Sequence, residues 1–463
     1  MTKSLFSRCL ATTALLAIPT IAAVDDWPRW RGPADNGMAK GDAPTEWSET
    51  KNIDWKLAIP GRGFSSPVVW GDKIFLTTAV PVSQPTAEAS PRSDGPPAQE
   101  GARKGGKRGP GGPGGRGGGG GGMSGGAVGV EHKFVVMALD RKTGKTIWEQ
   151  VAATSTPHEG HHPRYGSYSS NSPVTDGKHL WAWFGSRGVY CYDLNGKLIW
   201  KKDDYKEAKM RLGFGEGTAT VISGDTLLLN FDMEQGSHLL ALDKATGKQL
   251  YRVERDEISG WSAPLVIDFQ GQKQVVITAT NKSRSYDLKT GKLIWECAGL
   301  GGNVIPAPVY ADGIVYVMSG FRDPNLLAIK LGRTGDLTGT DAVLWTTNRG
   351  TSYTASPVIY EGKIYFVTDA GMVSCLDAKT GKPYYQQQRL PKPYSLKSSP
   401  VGVNGKLYVA TENEDVVVLK MGEKFEVLTT NTLPDQSFIS TPAVVEGTMY
   451  LRSETTLYAI KNK

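Results

Sequence analysis

The sequence predicts an all-β protein, an eight-bladed β-propeller, and two recurring features support that prediction. Turns related to Asp-x-x-Thr-Gly-Lys, each followed by an aromatic residue three positions after the lysine, begin at Asp140, Asn195, Asp243, Asp287 and Asp377. A small residue followed by proline opens an apolar run in later units, and these prolines recur at steps of 44, 49, 43 and 42 residues. The prolines are Pro264, Pro308, Pro357, Pro400 and Pro442. A repeat of this length indicates a propeller or a solenoid.

Each repeat contains four short strands separated by turns that carry glycine. In the unit that spans residues 353–385, the strand segments are rich in valine, isoleucine and aromatic residues, as is typical of antiparallel hairpins. No sustained helical period appears after residue 23, which supports the all-β class. Eight units begin near Ser65, Ser172, Thr218, Ala263, Ala307, Ser356, Ser399 and Thr441.

The two ends of the repeat array favour a closed ring over an open solenoid. The last unit ends without a fourth strand, whereas Ile53-Asp-Trp55-Lys-Leu57 is a strand with no unit before it. We therefore expect this N-terminal strand to supply the outer strand of the eighth blade, because such pairing leaves no strand edge exposed.

The aromatic residues that follow the glycine turns are predicted to be structural. Glycine permits the positive φ of a tight turn, and an aromatic ring on the outer strand can reach the neighbouring blade and pack on its peptide planes. The predicted docking residues are Trp55, Trp148, Trp200, Tyr251, Trp295, Trp345 and Tyr385.

The chain divides into a signal peptide, an N-terminal segment and the propeller. Residues 1–23 have a positive start, an apolar stretch too short to span a membrane and, in Ile21-Ala22-Ala23, small residues for cleavage, as in export signals. Residues 24–63 form the N-terminal segment with the closing strand, and 64–463 form the propeller. We expect an exported protein, periplasmic or extracellular, without a transmembrane segment.

One blade carries a long insertion of unusual composition. Residues 84–129, within the first blade, are rich in glycine, arginine and proline, which predicts a disordered loop. This insertion is a tolerated surface loop or a basic tether for polyanions. The net charge of +7 arises partly here, because residues 81–130 hold six basic and three acidic side chains. The charge of the remainder is too small to indicate sequence-specific nucleic-acid binding.

Cysteine usage indicates no metal site. After the signal peptide only Cys191, Cys297 and Cys375 remain, at spacings that match no zinc pattern. Lone cysteines near the ends of apolar runs usually behave as small buried apolar residues.

Candidate binding residues belong to loops that a propeller gathers on one face. The loops entering the innermost strands and the hairpins between second and third strands surround the channel there, and we call this surface the loop face. Arginine with aromatic residues is a common composition of recognition surfaces. The alternative is that the arginines bond carbonyls between blades. The candidates are Tyr168, Arg187, Glu216, Trp261, Asn281, Arg284, Arg322 and Tyr353.

The segment His158-Glu159-Gly160-His161-His162 matches the HExxH pattern of zinc proteases. That chemistry needs a helix, and the prolines at 157 and 163 oppose one. We interpret the segment as an exposed, solvated loop. A loop-borne metal site, formed by two of the histidines and a carboxylate such as Glu216, is the alternative. No catalytic residue is predicted.

The repeat Ala138-Leu-Asp140-x-x-Thr143-Gly144-Lys145-x-x-Trp148 resembles the docking repeat of the pyrroloquinoline-quinone (PQQ) propeller family. The resemblance extends from Trp27 to Lys463, and the opening Trp27-Pro-Arg-Trp30-Arg-Gly-Pro33 is similar to that of exported members without an assigned role. The family includes quinoprotein dehydrogenases and outer-membrane assembly proteins of the BamB type, which are non-catalytic scaffolds. For the dehydrogenases the resemblance implies PQQ and calcium as cofactors. Those enzymes carry adjacent cysteines over the quinone, and this chain has none.

The expected function is therefore binding rather than catalysis. We expect a monomeric, exported propeller that binds a protein partner or a small polar ligand on its loop face. A PQQ-dependent dehydrogenase that uses calcium is the alternative.

Overall fold

The computed structural model describes residues 26–82 and 129–463. These residues form eight antiparallel sheets with four principal strands each, which confirms the predicted eight-bladed propeller. The helical elements of the described part are two short 3₁₀ turns, Gly185–Arg187 and Arg211–Gly213. Across residues 26–82 and 129–463, no helix has the length and apolar character that a membrane crossing requires. The predicted signal peptide and nearly all of the predicted disordered insertion lie outside the described residues.

The blades follow one another along the chain, and each runs from the channel outward. Blade 1 comprises Val68–Trp70, Lys73–Pro81, His132–Asp140 and Thr146–Ser155, and blade 2 comprises Val174–Thr175, His179–Trp183, Val189–Asp193 and Leu198–Lys202. Blade 3 comprises Val221–Ser223, Thr226–Phe231, His238–Asp243 and Gln249–Glu254, and blade 4 comprises Leu265–Phe269, Gln272–Ile277, Ser283–Asp287 and Leu293–Cys297. Blade 5 comprises Val309–Ala311, Ile314–Ser319, Asn325–Lys330 and Val343–Thr347, and blade 6 comprises Val358–Tyr360, Lys363–Val367, Met372–Asp377 and Pro383–Arg389. Blade 7 comprises Val401–Val403, Lys406–Ala410, Asp415–Lys420 and Val427–Thr432, and blade 8 comprises Ala443–Val445, Thr448–Arg452, Thr456–Lys461 and Ile53–Ala58.

The ring closes through the N-terminal strand. Ile53–Ala58 pairs antiparallel with Thr456–Lys461 as the outer strand of blade 8, with Trp55 opposite Ala459. The prediction of closure by this strand is confirmed. Two short strands extend other sheets in parallel: Met38–Ala39 lies beside Val401–Val403, and Gly335–Asp336 lies beside Leu293–Cys297.

Aromatic rings of the outer strands pack on the glycine turns of the following blade. Trp200 is representative, because its Nε1 donates to the carbonyl of Lys244 at 3.0 Å and its ring covers Gly247. Equivalent hydrogen bonds link Trp55 to Arg141, Trp148 to Leu194, Tyr251 to Leu288 and Trp345 to Ala378. Each bond satisfies a side-chain donor and links neighbouring blades.

Two of the predicted docking residues have different surroundings. Trp295 is fully buried, lies opposite Gly335 of the added parallel strand and packs with Leu331 and Leu337. Blade 5 lacks the Thr-Gly-Lys turn, and the loop 331–342 covers Trp295 instead. Tyr385 contacts the edge of Phe425 with ring centroids 5.8 Å apart.

The N-terminal segment crosses the end of the channel opposite the loop face before it supplies the closing strand. Trp27 forms a backbone bridge with Val69 in blade 1, and the carbonyl of Pro28 accepts from Thr175 in blade 2. Arg31 is buried, and its guanidinium donates to the carbonyls of Asn36 and Pro357. Burial lowers the pKa of Arg31 to about 10. Residues 26–39 therefore plug one end of the ring.

The three cysteines of the described part, Cys191, Cys297 and Cys375, are free and buried in separate blades. Burial raises the pKa of the Cys191 and Cys375 thiols to about 12 and that of Cys297 to about 11. These thiols are therefore protonated and unreactive near neutral pH.

Candidate functional site: an axial cavity on the loop face

The loop face opens into a cavity on the ring axis with a volume of about 220 Å³. Aromatic side chains and one lysine surround its mouth, hydroxyl-bearing residues line its wall, and Trp30 of the plug lies at its closed end. A concave site with an apolar lining and a few convergent polar groups is the usual location of a bound ligand. The mouth is formed by Phe64, His162, Tyr165, Phe214, Trp261, Tyr353 and Lys397.

The polar wall is an arc of five hydroxyl groups on consecutive blades 6, 7, 8, 1 and 2. Each is the small residue that precedes proline at the entrance to an innermost strand, where the blades converge and large side chains do not fit. Each hydroxyl oxygen accepts a backbone N–H from the preceding blade at 2.8–3.3 Å. We call these residues the hydroxyl arc: Ser66, Ser172, Ser356, Ser399 and Thr441.

The apolar side of the cavity is encoded at the same position of the repeat. Blades 3, 4 and 5 carry Ala219, Ala263 and Ala307 in place of the serine or threonine. These alanines form an apolar cluster against which Trp30 packs. The cavity therefore has a hydroxyl-bearing half and an apolar half, and the plug docks against the apolar half.

Glu216 is the carboxylate that lines the cavity, and its oxygens already have partners. Oε2 accepts from the Ser186 amide at 2.6 Å and hydroxyl at 2.9 Å, and Oε1 accepts from Arg187 Nη1 at 3.1 Å. Burial raises the pKa of Glu216, while the nearby Arg187 charge opposes that rise. Arg187 Nη2 donates to His158 Nδ1, so the His158 Nε2–H donates to the Ala208 carbonyl. These bonds make a closed structural network.

The histidine segment is packed, so the expectation of an exposed, solvated loop is wrong. His161 is only 4 % exposed, and burial lowers its pKa to about 4. His162 stacks on Tyr165 with ring centroids 3.4 Å apart, and its pKa is also lowered to about 4 by burial. Within residues 26–82 and 129–463, no three His, Cys, Asp or Glu side chains are placed to hold a metal ion. Aromatic neighbours and backbone bonds explain the packing.

The structure brings some of the predicted site residues together at the cavity. Glu216, Trp261 and Tyr353 line it, and Trp261 Nε1 donates to the Gly215 carbonyl at 2.9 Å. Tyr168 and Arg187 lie behind the wall, beside Glu216, in a small enclosed space.

The other three predicted residues lie away from the cavity, on blades 4 and 5. Arg284 is 6 % exposed and forms ion pairs with Asp256, Glu257 and Glu296. The Asn281 amide donates to Glu257 at 2.8 Å. Arg322 is exposed, with its guanidinium over the ring of Phe321. Arg284 therefore has structural partners, as in the alternative in which the arginines bond groups between blades, although these partners are carboxylates and not backbone carbonyls.

Sequence reasoning missed Trp30, the hydroxyl arc and Lys397. Lys397 bonds Asp369 at 2.7 Å, lies 3.6 Å from Glu412 and sits over the Tyr165 ring. The sequence held a signal for each of the first two. Three consecutive repeats carry alanine where the others carry the hydroxyl residue, and an aromatic-rich segment with Trp30 precedes the closing strand.

The fold and this cavity define an axially plugged, eight-bladed propeller with PQQ-type docking repeats. A family model described as outer membrane protein assembly factor BamB matches residues 132–387 and 328–422, more than half of the chain. The chain belongs to that family. BamB of Yersinia pestis is 22 % identical over 343 residues, covering 71 % of this chain and 80 % of that protein.

Dehydrogenases also match. A 1-butanol dehydrogenase (cytochrome c) of Thauera butanivorans is 27 % identical over 174 residues, which cover 35 % of this chain and only 22 % of the enzyme. Among solved structures, the quinohemoprotein alcohol dehydrogenase of Comamonas testosteroni has a TM-score of 0.61 at 11 % identity, covering 96 % of this chain and 82 % of its own. BamB of Moraxella catarrhalis has a TM-score of 0.50 at 13 % identity, covering 71 % and 89 %. At these identities the structural likeness shows the fold alone.

The residues of the cavity do not fit a quinone–calcium pair. Calcium takes about six to eight oxygen ligands with several carboxylates among them. Glu216 is the one carboxylate among the described lining residues, and both its oxygens are occupied. PQQ itself carries carboxylates, yet the lining cation Lys397 is already paired with Asp369 and Glu412. Neither cofactor finds a free partner of the required charge.

Proposed function

We propose that this chain is an exported, non-catalytic binding propeller that captures a protein segment or a small polar ligand in the axial cavity of its loop face. The observation that carries the proposal is a channel closed by Trp30 at one end and open, between aromatic side chains, at the other. Because one end of the channel is closed, a ligand that enters from the loop face is held in a buried pocket and does not pass through the ring. Rigid aromatic residues at its mouth offer large contact area at low entropic cost.

The chemistry of the cavity favours binding over catalysis. Glu216 is held by Ser186 and Arg187, and Lys397 is held by Asp369 and Glu412. The lining His162 has a pKa lowered to about 4, so it is neutral and a weak base near neutral pH. A general acid or base works best with a pKa near the working pH and within reach of the substrate. Glu216 and Lys397 are not free to reach a substrate, and His162 lacks a pKa near the working pH.

The sequence and the similarity to related proteins support a location outside the cytoplasm. Residues 1–23 have the composition of an export signal. The matched family and the relative from Yersinia pestis are both described as an outer membrane protein assembly factor. A scaffold that contacts other proteins at the cell envelope would use an exposed, concave recognition face such as this one.

A fluorescent reporter on the lining of the cavity tests the proposal. The variant Ile439→Cys, in a Cys9→Ser background, places one reactive thiol at the lining, because the native buried cysteines resist labelling. The matched control Leu250→Cys places the same dye on the outer strand of blade 3, where Leu250 is exposed. We expect members of a panel of capped peptides and small polar compounds to change the signal at 439 and not at 250, and Trp261→Ala to abolish the change.

Two results would contradict the proposal. Alcohol oxidation that requires added PQQ and Ca²⁺ and is lost in Glu216→Gln would establish the dehydrogenase instead. A panel without any saturable signal specific to position 439 would remove the cavity as a binding site.

A further inference from the structure

We propose that the axial cavity binds an uncharged sugar ring, whose oxygen atoms accept hydrogen bonds from the hydroxyl arc while a C–H face lies against the aromatic side chains. The inference rests on the proposed function, since it names the class of ligand for the same site. Three properties of the cavity lead to it: unused hydroxyl donors, lining charges that already have partners, and aromatic walls.

The hydroxyl arc presents protons that have no acceptor in the described part of the chain. A serine or threonine hydroxyl can accept and donate at the same time. In each member the oxygen accepts a backbone N–H, but the O–H finds no acceptor among the residues described. All five side chains are between 1 % and 6 % exposed. Buried donors without acceptors are costly, and the bordering space where an acceptor can sit is the cavity.

Thr218 adds an independent observation on the cavity wall. It follows Gly217 at the entrance to the innermost strand of blade 3 and lines the cavity. Its Oγ1 is shielded from bulk solvent and has no hydrogen-bond partner of either kind. The wall therefore offers one hydroxyl without a partner beside five whose O–H donors are unused.

The charges around the cavity favour an uncharged ligand over a carboxylate or phosphate. Lys397 faces two acids, Asp369 at 2.7 Å and Glu412 at 3.6 Å, so this group carries no excess positive charge. Glu216 is matched by Arg187 at 3.1 Å. An anion entering the cavity would lose its hydration without gaining a free cation, which is unfavourable in a buried site. Neutral acceptor oxygens, such as those of hydroxyl or ether groups, do not carry that cost.

Aromatic surfaces at both ends of the cavity suit a ring with apolar faces and polar edges. Trp30 forms the closed end, and Trp261 and Tyr353 stand at the mouth. A pyranose presents C–H groups on its faces, which pack on aromatic rings, and oxygens around its edge, which reach hydrogen-bond donors. A volume of about 220 Å³ lies below the range of about 300 Å³ and more typical of drug-sized ligands. One sugar residue therefore fits better than an oligosaccharide.

Calorimetric titration of the purified full chain tests the inference with matched probes. The neutral probes are methyl glucopyranoside, methyl galactopyranoside and N-acetylglucosamine, and the charged probe is glucuronate. Capped, uncharged tripeptides form the third arm. We expect at least one neutral sugar to bind saturably and its charged counterpart to bind at least about tenfold more weakly.

Two wall variants and one control connect binding to the wall. Ser356→Ala combined with Ser399→Ala removes two donors of the hydroxyl arc and should weaken sugar binding at least about tenfold. Because those hydroxyls also accept backbone bonds between blades, Thr218→Val serves as the second variant, since its hydroxyl bonds nothing and its loss should leave folding intact. Ser285→Ala is the control, because Ser285 Oγ bonds Gln274 inside blade 4, away from the cavity. It should leave affinity unchanged.

The outcomes separate this inference from the proposed function. Binding of capped peptides without binding of sugars overturns the sugar inference and leaves the binding propeller standing. Equal affinity for neutral and charged sugars, or full affinity in both wall variants, also overturns it. No binding of sugars or peptides contradicts both.

Discussion

Replacement of Gly247 by alanine tests whether docking of aromatic rings on glycine turns holds neighbouring blades together. Gly247 has φ +72°, and a Cβ built there would lie 2.6 Å from Trp200 Cε3 of the preceding blade. An L-residue in the left-handed region costs about 1–2 kcal/mol. Displacing a packed ring adds about 1–3 kcal/mol. Gly247→Ala should therefore lower the free energy of unfolding by about 2–5 kcal/mol.

A matched control in the same blade isolates the ring contact from the backbone strain. Gly224 has φ +57°, and a Cβ there would meet nothing within 4 Å. Gly224→Ala should therefore cost only the backbone term of about 1–2 kcal/mol. In a Trp200→Ala background the ring is absent, so Gly247→Ala should cost no more than this control.

Equilibrium unfolding in guanidinium chloride, followed by far-UV circular dichroism, measures all four variants on one scale. The coupling between Gly247 and Trp200 is the difference between the cost of the alanine with and without the ring. Equal costs for Gly247→Ala and Gly224→Ala, or a coupling near zero, would refute the view that ring docking sets the spacing of the blades.

Three further predictions concern burial, protonation and closure. Asp232→Ala leaves Arg255 buried without its carboxylate, since both side chains are fully buried and bonded at 2.8 Å, and should cost about 3–5 kcal/mol in denaturant unfolding. Burial lowers the pKa of His161 to about 4, below its ordinary 6.5, so the unfolded chain binds more protons than the folded chain between these pH values. The free energy of unfolding should therefore fall as the pH drops from 6.5 toward 4, by up to about 1.4 kcal/mol per pH unit. His161→Phe should reduce this fall, as measured by unfolding at each pH, while His162, whose pKa burial lowers in the same way, still contributes. Deletion of residues 53–58 exposes the edge of Thr456–Lys461 and should cause aggregation detectable by light scattering; a monomer with parental stability would contradict closure.

The fold could be predicted because its signals are local and repeated. A turn such as the one at Gly247 is decided by a few adjacent residues, and the five copies of that turn reinforce one another along the chain. Ring closure was also predictable, because Trp55 sits on a strand without a unit and the last unit lacks its outer strand. Both arguments depend on counting strands rather than on distances between particular side chains.

The candidate site was predictable only in part, because its residues meet through geometry. The loop face was anticipated, and Glu216, Trp261 and Tyr353 line the cavity. Arg284 was not separable from a ligand-binding arginine by sequence, since its acidic partners come from one other strand and a loop. The packing of His161 likewise depends on Tyr168, whose approach follows from the path of the loop.

The way the repeat departs from symmetry explains how a nearly symmetric ring acquires an oriented site. An eightfold ring with serine at every inner position would offer equivalent donors in all directions and no preferred place for the plug. Alanine in three consecutive blades removes the donors from one side and gives Trp30 a surface to pack on, while five consecutive blades keep theirs. The same substitutions therefore seat the plug that closes the cavity and leave its polar side facing any ligand. Because the segment carrying Trp30 continues into the closing strand Ile53–Ala58, the bottom of the cavity and the closure of the ring depend on one stretch of chain.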